Sequence, residues 1–377
     1  MKLISRILVI IMILNIFMLI SFADQSPSIS AQSAIVIDAR TGRVLYEHNA
    51  NNKMPMASTT KIMTALLAIQ NNNLNDLVKI KPESTNIEGS SIYLKEGEVI
   101  KLKDLLYGLM LCSGNDAACA IAQHVGGNVE QFSQMMNNKV TELGLNDTNF
   151  MNPHGLNNQN HFTTAYDLAM ISKEAMQHNT FKNVVGTKLW IAQREGDRYK
   201  YFYNKNKVIS QYEYGTGIKI GYTKRSGRCL VASSKKGELE LICVVLNAPN
   251  WFNDSYRLMD YVFNKYKPTK IIDENQIFKT VPVRNGTKEY TKIIAQQKSI
   301  LPLTDEEKKQ ISILYSVQDY LTAPVTRKNK IGTAKIYLDD QLLDSVNMIT
   351  REDIDYKKLN IFQQLKCLTV DKIIKKD

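Results

Sequence analysis

The order in which two hydrophobic periods alternate along the chain limits its fold more than any other feature. Two β-rich runs at 34–37 and 43–46 flank a polar turn that contains Gly42, and together they predict a hairpin. Apolar residues then recur at three- and four-residue spacing, predicting helices over 60–71, 102–111, 116–124, 129–143 and 164–176. Thr164, followed three residues later by Asp167, predicts a capping box at the start of the last of these. Strand patterns return at 189–191, 199–202, 218–220, 230–232 and 239–246, ahead of a final helix over 253–266. Strand, helices, strands, helix is the order expected of a mostly antiparallel sheet that carries helices from distant parts of the chain.

At 377 residues the chain is long for one compact unit. Lys267-Pro268-Thr269-Lys270 reads as a break, and the short β-like runs after it (278–283, 289–294, 311–316, 333–338 and 342–346) predict a small β-sandwich. The chain therefore divides into an export signal at 1–23, a mixed helix-and-sheet body at 24–268, an all-β unit at 269–356 and a basic tail at 357–377. The signal carries Lys2 and Arg6 ahead of an apolar run and ends in Ser21-Phe22-Ala23, which suits cleavage after Ala23. An uncleaved anchor is the alternative, and both readings place the body outside the cytoplasm, at the outer face of the membrane or in the wall space. The tail holds six lysines against two aspartates, with Ile361, Phe362, Leu365 and Leu368 on one helical face. Two readings stay open for it: a peripheral contact with an anionic membrane surface, or a terminal helix packed on its own unit.

With 44% hydrophobic and 23% charged residues, the composition argues against a disordered or collagen-like chain. The net charge of +11 could attract nucleic acid, anionic lipid or an anionic wall polymer. Export argues against nucleic acid, as does the lack of any basic cluster interleaved with aromatics, so the charge reads as a general surface property. Cys112, Cys119, Cys229, Cys243 and Cys367 lack the close pairing of metal sites, and we expect neither a structural metal nor a cofactor. Cys229 and Cys243 fall in two apolar segments suited to neighbouring strands, as buried small hydrophobes or in a cross-strand contact.

Three short patterns carry chemistry. Ser58-Thr59-Thr60-Lys61 lies where a loop containing Pro55 enters a helical pattern. Serine and lysine three apart on one turn face the same way, and the helix start offers free N–H groups to a developing anion. A lysine serves as base there only if burial or a neighbouring cation lowers its pKa. Ser113-Gly114-Asn115 falls between two helices, and Lys219-Ile220-Gly221, followed by Tyr222, ends a β-like run where glycine lets a ligand approach the backbone. Each pattern alone has an ordinary explanation: a chance match, a helix cap, an exposed edge-strand lysine.

Taken together, their order and settings match the serine–lysine signature of β-lactamases and penicillin-binding proteins. The chain resembles the low-molecular-mass D-alanyl-D-alanine carboxypeptidases, strongly over about 30–266 and more loosely beyond. Ser33-Ala34-Ile35-Val36-Ile37-Asp38-Ala39-Arg40-Thr41-Gly42 is similar to that family's opening hairpin, and 56–65 to its nucleophile helix. Asn152-Pro153-His154-Gly155-Leu156, 163–167 and Gly221-Tyr222-Thr223 resemble further family segments. The resemblance implies a transpeptidase-like catalytic domain, antiparallel sheet plus helices, followed by a small all-β domain. It implies Ser58 as nucleophile, Lys61 as its base, Ser113 as proton relay and Asn115 as a holder of the substrate peptide. Lys219 would supply positive charge to the substrate carboxylate, with the N–H groups of Ser58 and Tyr222 as oxyanion hole. The implied partners are wall stem peptides ending in D-Ala-D-Ala, with β-lactams as covalent inhibitors.

One position departs from that pattern. The family's third motif usually has threonine where this chain has Ile220; β-branching is kept, but a hydroxyl is lost, which costs about 1–3 kcal/mol of carboxylate binding. Attenuated turnover is the expectation. The residue also motivates a second reading, a penicillin- or wall-binding protein with weak or no turnover. A third, β-lactamase, rests on Glu142-Leu143-Gly144-Leu145-Asn146, which fits E-x-x-L-N but reads better as a helix stopped at Gly144. His154 and His161 read as structural, because the mechanism needs no imidazole.

Overall fold

The computed structural model describes residues 26–196 and 199–358. The export signal at 1–23 lies outside them, as does the tail from residue 359 on with Cys367. Among the described residues no helix is long and apolar enough to cross a membrane. The residues fall into two compact units, one comprising those up to Lys236 with Glu240–Asn264, the other Gly237–Leu239 and those from Lys265 on.

The first unit opens with β1 (Ser33–Asp38) and β2 (Val44–His48), the antiparallel hairpin expected around Gly42, whose φ of +83° requires glycine. Helix α1 (Lys61–Asn71) follows, then the short ladder of β3 (Leu77–Lys79) and β4 (Val99–Lys101). Next come α2 (Leu102–Tyr107), α3 (Asn115–Gly126), α4 (Val129–Glu142), α5 (Ala165–Met176) and α6 (Asn179–Gly186). The chain then returns to strands in β5 (Leu189–Ile191), β6 (Tyr201–Tyr203), β7 (Gly215–Thr223), β8 (Gly227–Lys236) and β9 (Leu239–Leu246). Helix α7 (Trp251–Lys265) ends the run. The main sheet has the order β2-β1-β9-β8-β7, so the first strand lies beside the last and β7 forms an edge.

Every residue of β1 is buried, so its sheet is covered on both faces. Ile35, Ile37, Ile242 and Val244 join one core with residues of α1 to α6, including Leu66, Phe132 and Leu168. On the opposite face α7 packs its buried Leu258, Met259 and Val262, with Tyr261 edge-on to Tyr46 of β2. Cys229 on β8 and Cys243 on β9 are buried thiols, unlinked by a disulfide.

Two local expectations change. Asp167 N–H donates to the Thr164 hydroxyl as a cap, but the Asp167 carboxylate accepts from Asp147 N–H and Thr148 Oγ1 instead of closing the box. The break read at 267–270 is a strand, because Pro268 is tolerated in a two-stranded ladder. In the second unit β10 (Lys267–Ile272) precedes β11 (Ile277–Arg284), β12 (Tyr290–Ala295) and β13 (Ser299–Leu303), its antiparallel partner. β14 (Ile311–Val317), β15 (Leu321–Thr322), β16 (Lys330–Leu338) and β17 (Gln341–Thr350) complete a six-stranded sheet ordered β14-β16-β17-β12-β11-β15. Ile272, Leu301 and Leu303 of the ladder share one apolar core with Val281, Ile336 and Met348 of the sheet.

Candidate active site

The site begins with a strained turn. Residues Ala57–Thr60 form one 3-10 turn leading into α1, and Ala57 adopts φ +47°, a region that side-chain-bearing residues avoid. The turn closes on itself, with the Thr59 hydroxyl donating to Met56 O at 2.6 Å and the Thr60 hydroxyl to Ala57 O at 2.8 Å. Two glycines clasp it. A Cβ on Gly155 would lie 1.9 Å from Ala57 O, and one on Gly221 would lie 2.9 Å from the Ser58 nitrogen, so only glycine permits the loop and β7 to come this close. His161 braces the same turn: its Nδ1 accepts from Met151 N–H at 3.0 Å, which leaves Nε2–H to donate to Thr60 Oγ1 at 2.8 Å.

Lys61, the first residue of α1, is fully buried. Its Nζ lies 2.7 Å from Asn115 Oδ1, 2.8 Å from His154 O and 3.0 Å from Ser58 Oγ. The Asn115 orientation is fixed, because its Nδ2 donates to Glu88 O. Burial, and next the Lys219 ammonium, hold the Lys61 amine well below its ordinary 10.5 despite the opposing pull of Cys119 and Asp116. A neutral amine has two hydrogens and one lone pair. The two carbonyl oxygens can only accept, so they take both hydrogens and the lone pair is left facing the Ser58 hydroxyl.

Ser113 ends a π-helical turn (Gly108–Cys112) in left-handed conformation, φ +64°, and Asn115 then opens α3. The Ser113 hydroxyl makes no hydrogen bond among the described residues. Asp116 anchors this corner: its carboxylate accepts from the N–H groups of Ile92 and Leu94 and from Ser91 Oγ, while Asn115 N–H donates to Ser90 O. Behind the 90–94 loop, the buried Arg194 guanidinium pairs with both oxygens of Glu98, at 2.7 and 2.9 Å, and donates to the carbonyls of Ile92, Tyr93 and Tyr199. No donor of that pair is wasted.

On β7 the side chains alternate. Lys219 and Gly221 face the Ser58 turn, whereas Ile220 and the 62%-exposed Tyr222 point the other way. Lys219 is fully buried and donates to Ile220 O at 3.1 Å; burial, then the nearby Lys205 ammonium, bring it down to about 7. Lys205 reaches this place through its backbone N–H, which donates to Leu111 O beside the Ser113 corner. The structure thus brings Ser58, Lys61 and Asn115 into direct contact and sets Lys219 and Gly221 beside them. Asp116, Arg194, Glu98 and Lys205 were not singled out from the sequence. An acid directly after Ser-Gly-Asn at a helix start was a usable signal for Asp116; the other three left none.

The remaining residues lie outside the chemistry. Burial brings His154 down to about 3 and His161 to about 4, so both imidazoles are neutral and structural. Glu142 ends α4, is 68% exposed at its side chain and pairs with Lys139 at 2.8 Å, while Gly144 takes φ +71° and stops the helix. The β-lactamase reading therefore loses its water-positioning carboxylate. Among the described residues no group of three or more His, Cys, Asp or Glu could hold a metal ion.

Comparison with known proteins finds relatives along nearly the whole chain. A family model described as D-alanyl-D-alanine carboxypeptidase matches residues 20–250, and one described as penicillin-binding protein 5, C-terminal domain, matches 266–356. The chain is 32% identical over 380 residues to D-alanyl-D-alanine carboxypeptidase DacF of Bacillus subtilis, covering 97% of each chain. It is 30% identical over 350 residues to DacC of Escherichia coli, covering 88% of this chain and 86% of that one. The solved structure of penicillin-binding protein 5 from Haemophilus influenzae superposes with a TM-score of 0.70 at 25% identity, covering 88% of this chain and 99% of that one.

Proposed function

The chain belongs to the D-alanyl-D-alanine carboxypeptidase family, and from that premise we propose that Ser58 is the nucleophile with which it removes the terminal D-alanine of wall stem peptides. It is a serine-type carboxypeptidase. The observation that carries the assignment is the buried Lys61 Nζ 3.0 Å from Ser58 Oγ, with two carbonyl oxygens at 2.7 and 2.8 Å placed to take the hydrogens of the neutral amine. Ser58 Oγ attacks the carbonyl carbon of the penultimate D-alanine as Lys61 takes the hydroxyl proton. The C–N bond to the last residue breaks, and a proton passes through Ser113 to the departing amine. Water, giving its proton to Lys61, then attacks the acyl carbonyl, releasing the shortened peptide and the Ser58 hydroxyl.

Gly221 supports an oxyanion hole built from the N–H groups of Ser58 and Tyr222, since it lets β7 lie against the Ser58 nitrogen. Asn115 holds the substrate peptide. Lys219, poised near 7, gains a proton when a carboxylate arrives and so charges in response to substrate. β-Lactams acylate Ser58 as substrate mimics. The catalytic domain is assigned to 24–268 and the C-terminal β domain to 269–356. The chain is exported, with 1–23 as signal, and works at the outer face of the cytoplasmic membrane; the tail at 357–377 supplies a peripheral membrane contact. Relatives named as carboxypeptidases along nearly the whole chain give no ground for preferring a non-catalytic binder.

The test is D-alanine release from a peptide ending in D-Ala-D-Ala, run with the parent and Ser58→Ala, together with intact mass after labelled penicillin. Release by the parent alone, with an adduct at Ser58, is expected. Release by the variant at the parent rate would overturn the assignment.

A further inference from the structure

Strand β14 stands at an edge of the second unit's sheet, paired along all its residues with β16 on one side only. Its outer N–H and C=O groups find no backbone partner among the described residues. Natural edge strands usually discourage pairing with charge, proline or brevity. The opposite edge, β15, is two residues long and followed closely by Pro324, and β2 of the first unit carries Glu47. β14 has none of these defences: its sequence Ile-Ser-Ile-Leu-Tyr-Ser-Val contains no charge and no proline, and Leu314 and Tyr315 are 63% and 49% exposed.

The strand is also complementary to itself. Laid antiparallel on a second copy about Leu314, it sets Ile311 against Val317, Ser312 against Ser316, Ile313 against Tyr315 and Leu314 against Leu314. Only pairings whose residue numbers sum to an even value keep side chains on their own face under a two-fold axis, and this one engages every residue of the strand. The odd residues continue the face on which Ile311, Ile313 and Val317 already pack against the core, and on which Tyr315 meets Phe278 at 5.3 Å between ring centres. Just beyond the strand ends the flanking charges are opposite. Lys309 precedes it and Asp319 follows it, so the same two-fold brings each to the other copy's counter-ion. Asp319 contacts Lys279 at 3.0 Å but stays 92% exposed at its side chain, open to a second cation.

We propose that β14 is a homodimerisation edge, through which two copies of the chain join their second-unit sheets into one continuous sheet by an antiparallel β14–β14 pairing about a two-fold axis at Leu314. The occupant is a second copy because the strand's side-chain pattern and its flanking charges complement themselves.

Disulfide trapping in the full chain tests both partner and register, in a Cys367→Ser background that leaves the four buried cysteines in place. Leu314→Cys should give a covalent dimer of twice the chain mass under mild oxidation. Ser312→Cys alone should not, while a mixture of Ser312→Cys and Ser316→Cys chains should. In the unmodified chain, Leu314→Lys sets like charges face to face and should weaken the dimer about tenfold or more by sedimentation. A parent-like far-UV circular dichroism spectrum and urea unfolding profile for each variant verify that the second unit is folded. A monomeric Leu314→Cys, equal trapping by Ser312→Cys alone, or trapping only to a different protein overturns the proposal.

Discussion

The two units of the chain treat charge in opposite ways. The second is built like a minimal β domain: among its described residues the buried polar side chains are Thr291, Ser299 and Thr350, and no acid, lysine or arginine is buried. The first unit buries Lys61, Glu98, Asp104, Asp116, Lys139, Arg194 and Lys219, among others. Burying an ionised group costs free energy unless its partners compensate, so a fold selected for stability alone would look like the second unit. Part of that cost falls around the Ser58 turn, on Lys61, Lys219, Asp116 and the Arg194–Glu98 pair, while Asp104 and Lys139 are paired elsewhere in the unit.

The comparison can be broken most directly at Ser58. Ser58→Ala should cut D-alanine release by about a thousandfold or more with no loss of thermal stability, because only chemistry is removed. An accompanying fall in Tm would show that the hydroxyl also holds the turn together.

Arg194→Met strands the Glu98 carboxylate in the interior and should cost about 3–5 kcal/mol in urea unfolding of the first unit. Breaking the second unit's surface pair Lys270–Asp273 should cost under about 1 kcal/mol. Equal costs would remove the distinction between the units.

Lys219→Met sharpens the comparison, since it should slow penicillin acylation about a hundredfold while raising stability by about 1–3 kcal/mol. The sign with pH follows from linkage. Lys219 binds its proton at about 7 when folded against an ordinary 10.5, so the unfolded chain holds more protons between those values and the parent gains stability as pH rises through them. The variant's advantage should therefore be greatest below pH 7 and vanish above 10.5. In kcat/KM, the loss of the Lys219 charge should appear as an alkaline limb near 7, which Lys219→Arg removes.

The smallest expected effect is at Ile220. The 220 side chain lies on the face of β7 opposite Lys219, so a hydroxyl supplied by Ile220→Thr reaches a carboxylate only around the strand edge and should raise penicillin acylation by no more than about tenfold. No increase would mean that Lys219 alone recognises the carboxylate.

The legible parts of the molecule were those whose cause is local. Helical spacing located α1, α4 and α5 to within a residue or so, and alternation found β1, β7 and β9. Helix α6 was missed because its apolar residues, Phe181, Val184 and Val185, are few and His178 provides no side-chain cap. β10 was read as a break because Pro268 looks like a stop, and only its distant partner β13 makes it a strand. The three motifs were readable as a set, but Arg194 and Glu98 lie far apart in sequence and owe their importance to being buried together, which no local pattern records. The carbonyl of His154 was equally invisible: its functional atom belongs to the backbone.

The Gly155 and Gly221 clasp has a consequence for how the protein can be observed. Ser58, the proposed nucleophile, sits in a turn shaped by segments around residues 57, 155 and 221, so no fragment and no half-folded chain can present it correctly. A fluorescent penicillin would then count finished molecules only, reporting the last stage of folding and not the mere presence of polypeptide.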